Sequence, residues 1–337
     1  MTYRIGLRFE DGATKIIACR PKETLVDAAM RQGVSLPIDC REGACGTCRC
    51  LVESGAVDLG DYVEDALSEV DVAQGWALAC QARPTSDCVF HVPASSAVCQ
   101  SKPSTIEARL TSIDKLGTKV MSITVEGPAI EALEYMPGQY AKVFLPDGSA
   151  QRAYSFSSMK TDETKLSFLI RLVPEGQMST WLETEAKVGD KLAFQGPFGS
   201  FYLRPIQRPI LMLAGGTGLG PMLAMLESLE AMGRLQQPCH LMLGVNDDDD
   251  AQMQMLLNDW GRRLPDFSWR LCVADQASSH PFKGYVTDHL NKSVLHDGNV
   301  DIYVCGPPPM VDAVNSWLKR ENVTPVALHH ERFLVSN

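Results

Sequence analysis

Long apolar runs, a basic excess and an even spread of cysteine are all missing from this 337-residue chain. Lys and Arg number 31 against 41 Asp and Glu, so the positive surface that a nucleic-acid binder uses is absent. The longest uncharged apolar stretch, residues 209–226, contains Gly215-Gly216-Thr217-Gly218-Leu219-Gly220-Pro221, which no spanning helix would carry. The first residues place Arg4, Arg8, Glu10 and Asp11 where a signal peptide needs apolar side chains. No membrane segment and a cytoplasmic location are therefore expected. The seven histidines form neither a C-x-H…C-x-x-H pattern nor a helical Glu-x-x-His pair, so no oxygen-activating metal centre is expected. His329-His330-Glu331 does not alter this, because neighbours on a strand point to opposite faces. What is present is a 45% hydrophobic, 21% charged composition, which folds, and a length that predicts two or three domains.

Cysteine is concentrated instead. Eight of the 11 lie in the first 99 residues, and in a cytosolic protein a local group of thiols points to metal rather than disulfides. Cys40, Cys45 and Cys48 are spaced C-x4-C-x2-C, and Cys80 follows downstream. Four thiolates must converge on two irons, and three can come from one tight loop. Gly43, Ala44 and Gly46 give that loop small residues whose N–H groups can turn toward sulfur. A zinc ribbon would pair two C-x2-C units, and only one is present. Cys19, Cys50, Cys88 and Cys99 read as structural. DCREGACGTCRC with the later Cys80 resembles a plant-type ferredoxin domain, which implies a β-grasp fold over residues 1–98 and a [2Fe–2S] cluster on those four cysteines.

A polar linker is expected at 99–104. Over 105–205, short segments separated by Pro137-Gly138, Pro146-Asp147-Gly148 and Gly196-Pro197 predict an antiparallel barrel. From 206 to 337 strands and helices alternate, predicting a doubly wound parallel sheet covered on both faces. Helices are expected over 219–232, 251–264, 285–291 and 309–321, and a last strand over 326–330. The fold class is thus multidomain, α+β followed by α/β.

Arg152-Ala153-Tyr154-Ser155 stands on a predicted barrel strand, and Gly176-Gln177-Met178-Ser179-Thr180 opens a short helix about 20 residues on. A flavin needs a cation and helix N-terminal amides for its phosphates, a flat wall for its ring, and a small polar group near N5. Together the two segments resemble the flavin domain of the ferredoxin–NADP reductase superfamily. The resemblance implies that Arg152 and the amides of Gly176, Gln177, Met178 and Ser179 hold the phosphates of FAD, favoured over FMN. It also implies Tyr154 on the ring, Ser155 beside N5, and the backbone of Ile170 and Leu172 at the pyrimidine edge. Phe333 is expected either on the flavin ring or as a packed terminal residue.

A predicted strand runs directly into Gly215, Gly216, Thr217 and Gly218. This is not G-x-G-x-x-G, but glycines still allow a pyrophosphate to approach the backbone before a helix whose first turn holds Pro221. A later strand ends in Cys305-Gly306-Pro307. Both segments lie at carboxyl ends of strands, where open α/β sheets bind ligands. They are similar to the nucleotide domain of the same superfamily, which implies Cys305 beside the nicotinamide, as a catalytic residue with Ser155. The run Asp247–Asp250 falls near the adenine ribose in such domains. It would repel a 2′-phosphate, so NADH is expected over NADPH, with Asp247 at the ribose; a solvated turn is the other reading. Asp58, Asp61, Glu64, Asp65, Glu69 and Asp71 form an acidic stretch, read either as solvated surface or as a docking face for a basic partner.

The order of the three modules makes chemical sense. Nicotinamide moves electrons in pairs, iron–sulfur clusters move them singly, and a flavin does both. The whole chain resembles the reductase components of bacterial aromatic-ring-hydroxylating dioxygenases, most nearly those for benzoate, toluate and anthranilate. By that resemblance the partner is a Rieske-type terminal oxygenase, the pathway is aromatic degradation, and the chain is expected to be a monomer. The reductase of a soluble di-iron monooxygenase shares this domain order, and a redox sensor is the reading from a different class.

Overall fold

The computed structural model describes residues 2–100, 103–160, 164–233 and 237–333. Two compact units emerge, Met1–Ser104 with Pro197–Ser200, and Thr105–Gly196 with Phe201–Asn337.

In the first unit, β1 (Tyr3–Phe9) and β2 (Thr14–Cys19) form an antiparallel hairpin. Helix α1 (Leu25–Arg31) starts where the Thr24 hydroxyl accepts the Asp27 N–H at 3.2 Å, and it buries Leu25, Val26, Ala28 and Ala29. Then follow β3 (Arg49–Ser54), β4 (Val57–Asp58), α2 (Glu69–Ala73), β5 (Trp76–Leu78), β6 (Arg83–Pro84) and β7 (Cys88–Val92). The main sheet runs β2-β1-β7-β3-β5, with β1 parallel to β7. Ile5, Leu7, Leu25, Leu78 and Phe90 fill its core. Cys99 belongs to this core too: it is buried, and its carbonyl accepts the Ser35 N–H at 2.7 Å. The expected linker at 99–104 is therefore shorter at its start; Ser101 and Lys102 lie outside the described residues.

In the second unit, β8 (Ser104–Lys115), β9 (Val120–Glu126), β10 (Tyr140–Phe144), β11 (Gln151–Ser155) and β12 (Lys165–Arg171) precede α3 (Gln177–Thr184) and β13 (Lys191–Phe198). They form an antiparallel sheet in the order β11-β10-β13-β8-β9-β12. A bridge between Phe156 and Phe168 brings its two edges together as a barrel. Phe156, Phe168 and Phe194 pack as a fully buried aromatic triad inside it.

Next come β14 (Ile210–Gly215), α4 (Leu219–Ala231), β15 (Cys239–Val245), α5 (Trp260–Arg263), β16 (Phe267–Val273), α6 (Val286–His289), β17 (Asp301–Gly306), α7 (Pro308–Arg320) and β18 (Ala327–Arg332). The sheet is parallel throughout, ordered β16-β15-β14-β17-β18. Its three central strands, β15, β14 and β17, are near-continuous apolar runs, as double burial requires. The expected helix over 251–264 is instead a 3-10 stretch, Asp250–Leu256, followed by the single turn α5. Asn258 and Asp259 stand at the break, and short polar side chains there compete with helical bonding.

Candidate functional site

The cysteine loop is shaped by its glycines. Gly43 has φ +72, and a Cβ there would lie 2.5 Å from the Asp61 carbonyl oxygen, so the loop presses flush on residues 61–62. Gln81 Nε2 donates to the Arg41 carbonyl at 2.9 Å and holds the loop from the other side. Cys40 lies within hydrogen-bond reach of Cys45, and Cys48 of Cys80. Burial opposes a thiolate at Cys40, but the Glu42 and Ala44 amides outweigh it and hold that thiol below its usual range. Contact with the Cys48 thiol holds Cys80 down at about 6, helped against burial by the Gly43 amide, while Cys48 itself is pushed up. Four converging thiols in two pairs, each near backbone N–H groups, are the donor set a [2Fe–2S] cluster needs. Cys50 is different: burial pushes its thiol up to about 12, and the sulfur points to the Ala77 carbonyl at 3.6 Å, in the core.

On β11 the pleat puts Arg152 and Tyr154 on one face and Ser155 on the other. Among the described residues the only partner of the Arg152 guanidinium is the Gln151 carbonyl, at 2.9 Å, so its remaining donors are available to an anion. Tyr154 packs against the barrel core, and burial raises its hydroxyl well above the usual phenol range. Gly176 caps α3 without a side chain, leaving the amides of Gln177, Met178 and Ser179 for a phosphate. The side chains of the last two are otherwise engaged. Met178 is in the barrel core, and Ser179 Oγ accepts the Val173 N–H at 2.8 Å.

Around the expected pyrimidine edge, backbone direction separates neighbouring residues of β12. The Leu172 N–H donates to the Lys119 carbonyl at 2.7 Å, on the β9 side, whereas Ser157 donates to Ser167 at 2.9 Å on the opposite edge of β12. Backbone groups alternate between the two edges of a strand. Ile170 therefore faces β9 with Leu172, and Leu169 and Arg171 present their backbone to the free edge.

In the α/β half, Gly215 ends β14, and Gly216, Thr217 and Gly218 make one 3-10 turn before α4. A Cβ at Gly218 would stand 2.1 Å from the Cys305 carbonyl oxygen, and one at Gly215 would lie 2.9 Å from Pro307 Cδ. The two expected nucleotide segments are thus in backbone contact at the carboxyl ends of β14 and β17, with Gly306 alongside Gly215. Cys305 is fully buried, and burial, with the Glu331 carboxylate second, pushes its thiol well above the usual value. A thiol held so high keeps its proton at neutral pH. Phe333 packs against the core that contains Leu219 and Cys305, and its N–H donates to the Gly306 carbonyl at 2.8 Å.

Asp247 already has partners within the chain. Its Oδ2 takes the Lys119 ammonium and its Oδ1 the Asp250 N–H at 3.1 Å. Asp249 Oδ2 accepts both the Thr118 N–H at 2.8 Å and its hydroxyl at 2.7 Å, and buried Asp250 faces the Arg171 guanidinium at 3.3 Å. Three of the four aspartates are turned toward the barrel; Asp248 takes the Ser278 hydroxyl.

Three family models match in sequence: a 2Fe-2S iron-sulfur cluster binding domain over residues 8–85, an oxidoreductase FAD-binding domain over 107–202, and an oxidoreductase NAD-binding domain over 212–316. The chain is 45% identical over its full length to the whole of the toluate 1,2-dioxygenase electron transfer component of Pseudomonas putida. It is 43% identical over 99% of its length to 98% of the 2-halobenzoate 1,2-dioxygenase electron transfer component of Burkholderia cepacia. The chain belongs to the family of dioxygenase electron transfer components. Among solved structures, a cytochrome P450 reductase from Amycolatopsis matches with a TM-score of 0.72 and 28% identity, over 98% of this chain and 99% of that one. This electron transfer component is therefore an oxidoreductase with iron–sulfur, FAD and NAD modules. No helix among its described residues is long and apolar enough to cross a membrane.

Sequence reasoning missed Glu331. On β18 it pairs in register with Cys305, and its carboxylate accepts from Ser155 Oγ at 3.4 Å across the two halves. The signal was present in His329-His330-Glu331, set aside as a failed metal cluster: strand alternation sends Glu331 to the opposite face from His330.

Proposed function

We propose that the chain carries electrons from NADH through FAD and a [2Fe–2S] cluster to the Rieske-type terminal oxygenase of an aromatic-ring dioxygenase of the benzoate and toluate kind. The observation that carries this reading is the end-to-end likeness to a dioxygenase electron transfer component, joined to three cofactor cradles in one polypeptide. Bound FAD converts paired into single electrons, and a plant-type cluster, at a potential near about −400 mV, passes them on singly. Arg152 and the α3 amides neutralise the flavin phosphates. Tyr154 walls the ring. Ser155 Oγ holds a proton that it shares with Glu331, next to the reacting edge. The glycine turn at 215–218 and Cys305–Pro307 receive the nicotinamide nucleotide. Asp248 and Asp249 have no cation within salt-bridge distance among the described residues, so the turn still disfavours a 2′-phosphate, in support of NADH. The modules divide near residues 99–104 and 205, and the protein works as a cytoplasmic monomer.

Cys45→Ser tests the relay. It should remove the cluster absorbance and at least about 90% of NADH–cytochrome c reduction, while NADH–ferricyanide reduction stays within about twofold. Loss of both activities together would contradict the modular path. Turnover of a benzoate-type oxygenase, restored by the wild type alone, tests the acceptor.

A further inference from the structure

The nucleotide reading leaves one feature unexplained, namely why four aspartates in a row stand at the end of β15. Their partners answer it. Gly117, Thr118 and Lys119 form the tip of the β8–β9 hairpin in the flavin barrel. A Cβ at Gly117, where φ is +81, would lie 2.7 Å from the Asp249 carbonyl oxygen, so the tip is seated against the acidic turn. Thr118 gives both of its donors to Asp249, and Lys119 its ammonium to Asp247. Behind them Arg171 meets Asp250.

We infer that this hairpin tip and the acidic turn form a latch that sets how the nicotinamide nucleotide stands over the flavin, with Lys119, Thr118, Asp247 and Asp249 as positioning residues for hydride delivery. This rests on the reading of the chain as an NADH-dependent flavoprotein reductase. The latch spans the strands that carry both cradles. Lys119 leads into β9, the neighbour of β12 and its free flavin edge. Asp247 follows β15, the neighbour of the β14 strand that ends in the glycine turn. On the other side of β14, the contact between Ser155 and Glu331 fastens β18 to β11. Holding both flanks of β14 prevents the α/β half from swinging about that strand. The Lys119 and Asp247 side chains are 39% and 33% exposed. A pair so wet adds little stability and is weakened by salt; its effect is on geometry, to which hydride transfer is steeply sensitive.

The test uses the full-length protein with flavin bound and follows anaerobic flavin bleaching by NADH in stopped flow. Asp247→Lys and Lys119→Asp should each lower the saturating rate about tenfold with less than about a twofold change in the apparent NADH Kd. The double exchange should recover to within about threefold of wild type. Should a reversal lose flavin, Lys119→Gln supplies the same readout: a slower rate that no longer falls as salt is raised. Single variants with wild-type rates overturn the latch, and so does a double exchange that stays as slow as either single variant. A wild type that NADH never bleaches overturns the reductase reading as well, so the two failures are told apart by the wild-type trace.

Discussion

Gly218→Ala is the substitution for which backbone conformation and local packing disagree most sharply. Gly218 has φ −58, open to any residue, at the end of the 3-10 turn that caps α4. Conformation alone therefore predicts that alanine is tolerated, at the modest cost of a poorer cap. Space predicts the reverse: the added Cβ would lie 2.1 Å from the Cys305 carbonyl oxygen and 2.6 Å from its carbon. Both are main-chain atoms at the end of a buried strand, so no side chain can rotate away. Ordinary contact requires the two segments to part by about 1 Å, at an overpacking cost of about 1–3 kcal/mol. A displacement of that size at the nicotinamide cradle should slow flavin reduction about 100-fold, equivalent to about 2.7 kcal/mol in the barrier. Anaerobic flavin bleaching by NADH measures this directly, with flavin and iron content fixed by absorbance. Gly220→Ala is the matched control, because its Cβ would meet Leu169 and Ser157 at 3.5 and 3.6 Å, an ordinary contact. It should stay within about threefold of wild type. Equal rates for the two variants would refute the argument that backbone approach, not helix formation, selects glycine at 218.

Gly43→Ala should lose the cluster while leaving flavin reduction intact, since a Cβ at φ +72 would also strike the Asp61 carbonyl oxygen at 2.5 Å; iron and sulfide analysis against the NADH–ferricyanide rate checks it. His329 supplies a pH dependence. Burial, then Arg204 and His330, lowers its pKa from 6.5 to about 3, so the folded state holds it neutral where the unfolded chain binds a proton. Stability is therefore full above about pH 6.5 and falls as the pH drops toward 3, by about 2 kcal/mol at pH 5. His329→Phe, which keeps the stacking on Tyr303 at 4.9 Å, should flatten that acid limb in denaturant titrations of the α/β half. An unchanged slope would remove His329 as its cause.

The parts of the fold that were legible in the sequence are those set by short-range physics. The cysteine loop needs only neighbouring residues, and its glycine at 43 takes the positive φ that the motif asks for. The alternation after residue 206 likewise announced a parallel sheet. Failures came where a neighbour in space overrode the local pattern. Residues 251–264 carry a helical apolar spacing, yet Asp249 and Asp250 are held by Thr118 and Arg171, and the segment follows them as a 3-10 stretch. Which edge of β12 the backbone of Ile170 or Leu172 faces likewise depends on register with β9, which no motif encodes.

The same division separates what binds a cofactor from what brings two cofactors together. Arg152, Gly176, Gly215 and Cys305 sit in runs of four to seven residues because each cradle is built from one strand end and its turn, and such runs can be read. The contacts that join the cradles link residues 176 apart for Ser155 with Glu331 and 128 apart for Lys119 with Asp247. A single carboxylate or ammonium on each side is sufficient for such a contact, so neither side looks unusual in its own stretch of sequence. Under the latch proposal hydride transfer depends on these contacts as well as on each cradle, because two separately held rings must meet within bonding distance. The aspartate run, legible only as charge, takes its meaning from the lysine and threonine it faces.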